Sequence, residues 1–232
     1  MQIQAFIDSW QGRHVDARLI ADGMASECQT SIVFSEADAH SSGGSAWWVA
    51  VPNDWYFGRK LAAGLDRFSG DIFVHVMADV TCVDWAALIR RCRYVFETIP
   101  ELGIWTSKIT GRTSPWEPAK TLLLSRPDLG LEFTTQTDQL VWAMAKDVAL
   151  RLKDLGTWRT NLGWGCDVAA AAYCHTHGKL VAQDTTVEIF HDHGTRYQQD
   201  KAAYQMADFL ARMTLPEQLM CEMIRRAHYE RL

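Results

Sequence analysis

An α/β domain on a mostly parallel central sheet is predicted by three features of the chain. Through residues 1–110, short β-branched apolar runs alternate with longer segments whose apolar residues recur every three or four positions. The 232 residues, 48% of them hydrophobic and 22% charged, suffice for one sizeable core and exclude a disordered chain. With 6 prolines, 15 glycines and no repeat or low-complexity stretch, the composition indicates no second independent domain.

The elements follow in order. Residues 2–8 alternate as a strand does, residues 15–26 have helical spacing, and residues 30–35 form a second strand. Residues 47–51 are an apolar run of strand length, closed by Pro52, Asn53 and Asp54. Phe57, Leu61, Leu65 and Phe68 recur on one helix face, and Gly70 ends that helix. The run Ile72–Met77 is too short and too β-branched for another helix, so it reads as a strand leading to Asp79. Asp84 is the expected N-cap of an amphipathic helix carrying Trp85, Leu88, Ile89, Cys92 and Phe96.

Residues 104–109 read as strand and residues 110–120, with Gly111, Pro115 and Pro118, as loop. Residues 122–124 and 140–144 are shorter strand candidates. An alanine-rich helix is expected over residues 166–177, stopped by Gly178 just past its end. Two short strands, 180–182 and 186–190, precede a helix over 197–212. Thr214-Leu-Pro-Glu217 is a capping box with proline in the first turn, and it opens a last helix to about residue 229. The organisation expected is a single domain over residues 1–212, with a C-terminal helix in residues 213–232. That helix sets Leu219, Met220, Met223 and Ile224 beside Arg225, Arg226 and Arg231, a pattern that packs on the domain or on a second copy of the chain. Peripheral contact with an anionic membrane is the alternative for the same pattern.

A formal net charge of −5 argues against nucleic acid as a partner, since that needs a basic footprint. The 6 cysteines include no C-x-x-C pair, which disfavours a structural zinc knuckle. The first residues lack a signal-like pattern, so reduced thiols and a cytoplasmic location are expected. No apolar stretch approaches the roughly 20 residues of a membrane span. Most of the 10 tryptophans are expected as core or helix anchors.

Chemistry concentrates at three places. Asp79 follows an apolar strand, which puts its carboxylate in the crevice beyond the sheet edge, where a hard divalent cation takes oxygen ligands. A helix-capping role is the structural alternative. His191 and His193 stand two apart on an extended segment and so face one side; imidazole with carboxylate suits a divalent ion such as manganese. His175 and His177, two apart on a helix, point in different directions and read as helix-end residues. Asp167 follows Gly163-Trp164-Gly165 at a helix start. There it is either an ordinary cap or a general base beside the flat face of Trp164, on which a sugar ring can lie. Gly165 lets the backbone turn sharply and approach a ligand. Arg59 and Lys60 are candidates for phosphate contact or for solvated surface charge. Glu36, just after the second strand, is placed to meet a ribose or base edge.

The ordered set resembles the GT-A-fold glycosyltransferases, especially bacterial family-2-like enzymes, over about residues 1–205. The stretch from Ser69 to Asp79 is similar to the segment ending in their D-x-D signature, with Met77 in place of the first carboxylate. Residues 161–167 resemble the acceptor-side G-W-G-x-D/E motif, and residues 190–195 the late histidine that completes the metal shell. The resemblance implies a GT-A, Rossmann-like sheet flanked by helices, with a smaller acceptor-side half and C-terminal helices. It implies transfer of a sugar from a UDP- or GDP-sugar to a carbohydrate or glycolipid acceptor, as in polysaccharide biosynthesis. Asp79, His191 and His193 would hold Mn2+ or Mg2+, and Asp167 would be the base of an inverting reaction. Ser9, at the end of the first strand, would meet the nucleoside together with Glu36, while Trp164 and Gly165 would meet the acceptor. The loss at Met77 leaves a second expectation, a nucleotide-sugar or carbohydrate-binding protein of the same fold without strong catalysis. A sugar-nucleotide pyrophosphorylase is disfavoured because the segment after the first strand carries one glycine, Gly12.

Overall fold

A computed structural model describes residues 1–111, 120–191 and 198–229. The chain runs β1 (Ile3–Ser9), α1 (His14–Met24), β2 (Gln29–Phe34), β3 (Trp47–Ala50), α2 (Phe57–Arg67), β4 (Ile72–Met77), β5 (Thr81–Cys82) and α3 (Trp85–Thr98). It continues through β6 (Leu102–Thr110), β7 (Leu122–Arg126), β8 (Leu131–Thr134), β9 (Val141–Ala145), α4 (Lys146–Leu155), a 3-10 turn (Thr157–Arg159), α5 (Cys166–Thr176), β10 (Leu180–Phe190), α6 (Gln199–Leu210) and α7 (Leu215–Tyr229).

The strands form one sheet in the order β3-β2-β1-β4-β9-β6-β10-β8-β7, with β5 paired to β10. β3, β2, β1 and β4 are mutually parallel. β9 is inserted antiparallel between β4 and β6, and β10 lies parallel to β6. The C-terminal ends of β1, β2, β4, β6 and β10 therefore point to the same edge, where α/β sheets bind ligands.

Apolar burial clamps the sheet from both faces. Ile7, Ile32, Val74 and Val76 face Ile20, Met24, Leu88 and Ile89 on one side. Phe6, Phe73, Trp142 and Met144 face Leu61, Leu65, Leu152, Phe209 and the alanines of α5 on the other. Burying each large side chain contributes roughly 1.5–3 kcal/mol before entropy is counted. The expected caps form. Asp84 accepts from the Ala87 amide at 2.8 Å, and the Lys179 amide reaches back to the Cys174 carbonyl past Gly178 at φ +67.

The structure departs from the sequence expectations in two respects. Residues 180–190 make one strand rather than two, because a register shift between Asp184 and Glu188 absorbs the polar interruption. β8 and α4 are elements that periodicity leaves unassigned. α4 starts straight from β9 at Ala145 with no side-chain cap, so it lacks the usual start signal. Most of the expected loop at 110–120 lies outside the described residues. α7 docks on the domain through Glu217, whose carboxylate takes Arg151 in a two-pronged pair at 2.8 and 2.6 Å and the Thr214 amide at 2.7 Å. All 6 cysteines are free thiols. No helix among the described residues is long and apolar enough to cross a membrane.

Candidate active site

Two carboxylates, Asp79 and Asp167, organise the candidate site. Asp79 stands two residues beyond β4, and its Oδ2 lies 3.3 Å from His191 Nε2, just past β10. Two segments remote in sequence are thus brought together by the parallel course of β4 and β10. Asp79 Oδ1 is buried and has no hydrogen-bond partner among the described residues. A buried carboxylate oxygen without a hydrogen-bond donor is costly, and beside an imidazole it is suited to a bound cation. The donor set fits a divalent ion held by two protein groups, with further oxygens supplied by a ligand. Among the described residues no third histidine, cysteine, aspartate or glutamate joins them. His193, the other expected ligand, lies outside the described residues.

Asp167 sits in the first turn of α5, half-buried, with Oδ2 accepting from Gln136 Nε2 at 2.8 Å. Burial raises its carboxyl above the ordinary aspartate range, against opposing hydrogen bonds from Gln136, the Val168 amide and Gln139, and with a further push from Asp138. The segment 134–140 that carries these glutamines is pinned at both ends. His175 Nε2 donates to the Thr135 carbonyl at 3.0 Å, and the Met77 amide donates to the Leu140 carbonyl at 2.9 Å. That last bond ties the Asp167 side of the site to the strand end that leads to Asp79.

The turn before Asp167 is locked onto α2. Asn161 accepts the Tyr56 amide at 3.0 Å through its side chain and the Gly58 amide at 3.0 Å through its carbonyl. Gly163 has φ +82, and a Cβ there would stand 1.9 Å from Phe57 Cδ1, so only glycine fits. Gly165 caps α5 at φ +90, where a side chain would be strained, and a Cβ would come within 3.0 Å of Met206. Trp164 is half-buried between them, and its carbonyl accepts the Thr160 hydroxyl at 2.9 Å.

The donor-side residues divide. Glu36 is exposed and held at φ +57, an uncommon conformation for a non-glycine residue. Its amide donates to Asn53 at 2.9 Å, and its carbonyl accepts from His14 Nε2 at 3.1 Å. Arg59 is half-buried and faces Asp54 at 3.2 Å. Ser9 and Lys60, expected to meet a donor, make different contacts. The Ser9 hydroxyl is fully buried against His14 Nδ1 at 2.7 Å. Because His14 Nε2 donates to a carbonyl, Nδ1 is the acceptor and Ser9 the donor. Lys60 turns inward, its ammonium 2.6 Å from the Ser9 carbonyl and over the Trp10 ring. Burial lowers its pKa, against the pull of Asp8 and Glu36. Both side chains shape the end of β1 from beneath, a role set by burial that local sequence does not reveal.

His14, His75, Gln136 and Gln139 have no individual signal in the sequence. His14 sits at a helix start between Arg13 and Val15, His75 is enclosed in the apolar run of β4, and the glutamines follow an unassigned strand. The cavity found at the opposite end of the sheet, about 380 Å³ and lined by Met1, Asp71, Phe96 and Lys179, is remote from this constellation.

No protein-family model matches the sequence, and no curated protein matches it. Solved structures do match in fold. Mannosyltransferase PcManGT from Pyrobaculum calidifontis, in complex with GDP-Man and Mn2+, is 11% identical with a TM-score of 0.59, over 98% of this chain and 70% of that one. S. aureus TarS 1-349 is 9% identical with a TM-score of 0.66, over 100% of this chain and 71% of that one. CMP:2-keto-3-deoxy-manno-octonic acid synthetase, complexed with CTP, is 9% identical with a TM-score of 0.52, over 92% of this chain and 100% of that one. The fold is GT-A, as the sequence resemblance implies. At such identities the likeness speaks for the fold alone.

Proposed function

We propose that this protein is a metal-dependent glycosyltransferase that moves a sugar from a UDP- or GDP-sugar to an acceptor hydroxyl. The observation that carries the reading is the Asp79–His191 pair, with one buried oxygen of Asp79 left without a partner among the described residues, at the edge where parallel strands end. A mannosyltransferase of the same fold, in complex with GDP-Man and Mn2+, supports it.

Asp79 and His191 would hold the cation, with His193 as a further ligand; bound there, a divalent ion neutralises charge on the leaving diphosphate. Glu36 accepts N–H or O–H groups of the nucleoside, and Arg59 is placed near the same edge. Trp164 offers its ring to the acceptor, and Gly165 keeps the backbone beneath it thin. Asp167 takes the proton of the acceptor hydroxyl. A carboxylate raised above its ordinary range is a stronger base, and Gln136 fixes the direction of the oxygen that does not accept the proton. Attack from the face opposite the leaving diphosphate inverts the anomeric carbon. The acceptor is a carbohydrate or glycolipid.

Incubating the protein with UDP- and GDP-sugars plus manganese, with and without simple saccharide acceptors, tests the reading. Sugar release or transfer that disappears on chelation and in Asp79→Ala is the expected result. Met77, where D-x-D has its first carboxylate, favours a second reading of a binding protein with residual catalysis. Nucleotide-sugar binding without turnover would select it.

A further inference from the structure

Outside the groups used above, the most unusual polar cluster is the one around His75. This residue lies mid-strand on β4, is fully buried, and faces the α2 side of the sheet. Its Nδ1 is 3.1 Å from the Gln139 carbonyl, so that nitrogen carries a proton and donates it. Its Nε2 faces Asp8 Oδ2, at the end of β1, across 3.5 Å, and both of those atoms are buried. Its ring edge meets Phe57 with centroids 4.8 Å apart. Phe57 in turn fills the space above Gly163 in the turn that delivers Asp167.

A buried histidine is ordinarily disfavoured on a core strand, where an aliphatic residue packs without polar cost. Here the imidazole touches three things that must keep their mutual positions: the end of β1, the 134–140 segment, and the aromatic wedge under the Gly163 turn. Gln136 and Gln139 lie on that segment, and Gln136 holds Asp167 directly. Leucine at this position would leave the Gln139 carbonyl without its donor and would release the segment on one side.

We propose that His75 is a positioning residue: by gripping the Gln139 carbonyl and facing Asp8, it holds the glutamines onto Asp167 and fixes the acceptor-side carboxylate relative to the donor-side strand end. The proposal deepens the glycosyltransferase reading and rests on Asp167 as its base. His75 itself touches no substrate.

The test uses three variants of the full chain. Asparagine places a donor near the Nδ1 position, whereas glutamine places one near Nε2. Asp167 is followed by carbon-13 NMR of labelled aspartate carboxyls, assigned with Asp167→Asn, and turnover is measured with manganese and the best nucleotide sugar. We expect His75→Leu to lower kcat tenfold or more with donor KM changed less than about twofold, and Asp167 to titrate at higher pH than in wild type. His75→Asn restores both readouts and His75→Gln restores neither. A folded His75→Leu with wild-type Asp167 titration overturns the proposal, as does equal rescue by asparagine and glutamine. Should His75→Leu not fold, the contrast between asparagine and glutamine decides the matter alone. A wild-type protein that turns over no nucleotide sugar defeats the glycosyltransferase reading, while the Asp167 titration still decides the role of His75.

Discussion

Asp184 and Asp79 are two sequestered carboxylates with opposite surroundings. Asp184, midway along β10, has no exposed surface and spends both oxygens. Arg91 Nε donates at 2.6 Å, Trp105 Nε1 at 3.1 Å, and the Thr186 amide and hydroxyl at 2.9 and 2.6 Å. Among the described residues Asp79, beyond β4, faces one imidazole and leaves an oxygen unmatched. A fully satisfied buried charge ties a bulge and a helix into the sheet; an incompletely satisfied one at a strand end is poised for a ligand. The chemical type is identical, and only the surroundings differ; the proposed metal role of Asp79 rests on that difference.

The sharpest way to break this contrast is to remove each carboxylate. Asp79→Ala should abolish metal-dependent transfer, a loss of about 1000-fold or more if the ion supplies several kcal/mol, while melting at or above the wild-type temperature. Activity persisting undiminished with manganese would refute the metal assignment. Asp184→Ala should do the reverse. Leaving Arg91 half-buried without its partner costs about 3–5 kcal/mol, read as a lower urea midpoint, with residual activity per folded molecule unchanged.

Asp167 sharpens the comparison because it belongs to both categories. Its carboxyl is raised by burial, so the folded state binds a proton more tightly than the unfolded chain. Its contribution to stability is therefore present below the unfolded value and is lost as pH rises through the window up to the folded value. Asp167→Asn should remove that loss and raise the melting temperature at neutral pH while cutting kcat roughly 100-fold or more. The acid limb of kcat/KM in wild type should lie above the ordinary aspartate range. A variant both less stable and only slightly slower would mark Asp167 as a mere cap.

Ligand linkage gives a smaller effect. GDP or UDP with manganese at about 100 times Kd should stabilise the wild type by about 2.7 kcal/mol, and Asp79→Ala by far less. Smallest is Thr214→Ala, which strips one hydroxyl, 2.9 Å from Glu217, from the capping box of α7. It should cost about 1 kcal/mol without altering activity, as measured by thermal melting.

Much of this was legible in one dimension. Ile72–Met77 coincides with β4 residue for residue, and Asp84 caps α3 as its position before an amphipathic run requires. Such features depend on neighbours along the chain, and local sterics and side-chain period decide them. The approach of Asp79 to His191 was partly legible, as two strand ends with ligand-type residues. What was hidden is contact between segments with no local signature. Gln136 reaches Asp167 from a loop after an unassigned strand, and β9 enters the sheet antiparallel between β4 and β6.

By itself the sequence determined the alternation of strands and helices, the apolar faces that clamp the sheet, and the placing of Asp79, Asp167 and His191 at element ends. Periodicity, caps and glycine turns are encoded within a few residues. Only the tertiary structure decided that Ser9 and Lys60 point inward, that Asp184 is saturated while an oxygen of Asp79 has no partner among the described residues, and that His75 meets both the Gln139 carbonyl and Asp8. Those outcomes depend on which distant backbone carbonyls and side chains fill the space around each polar atom, and desolvation in that space, rather than residue type, sets what the atom does.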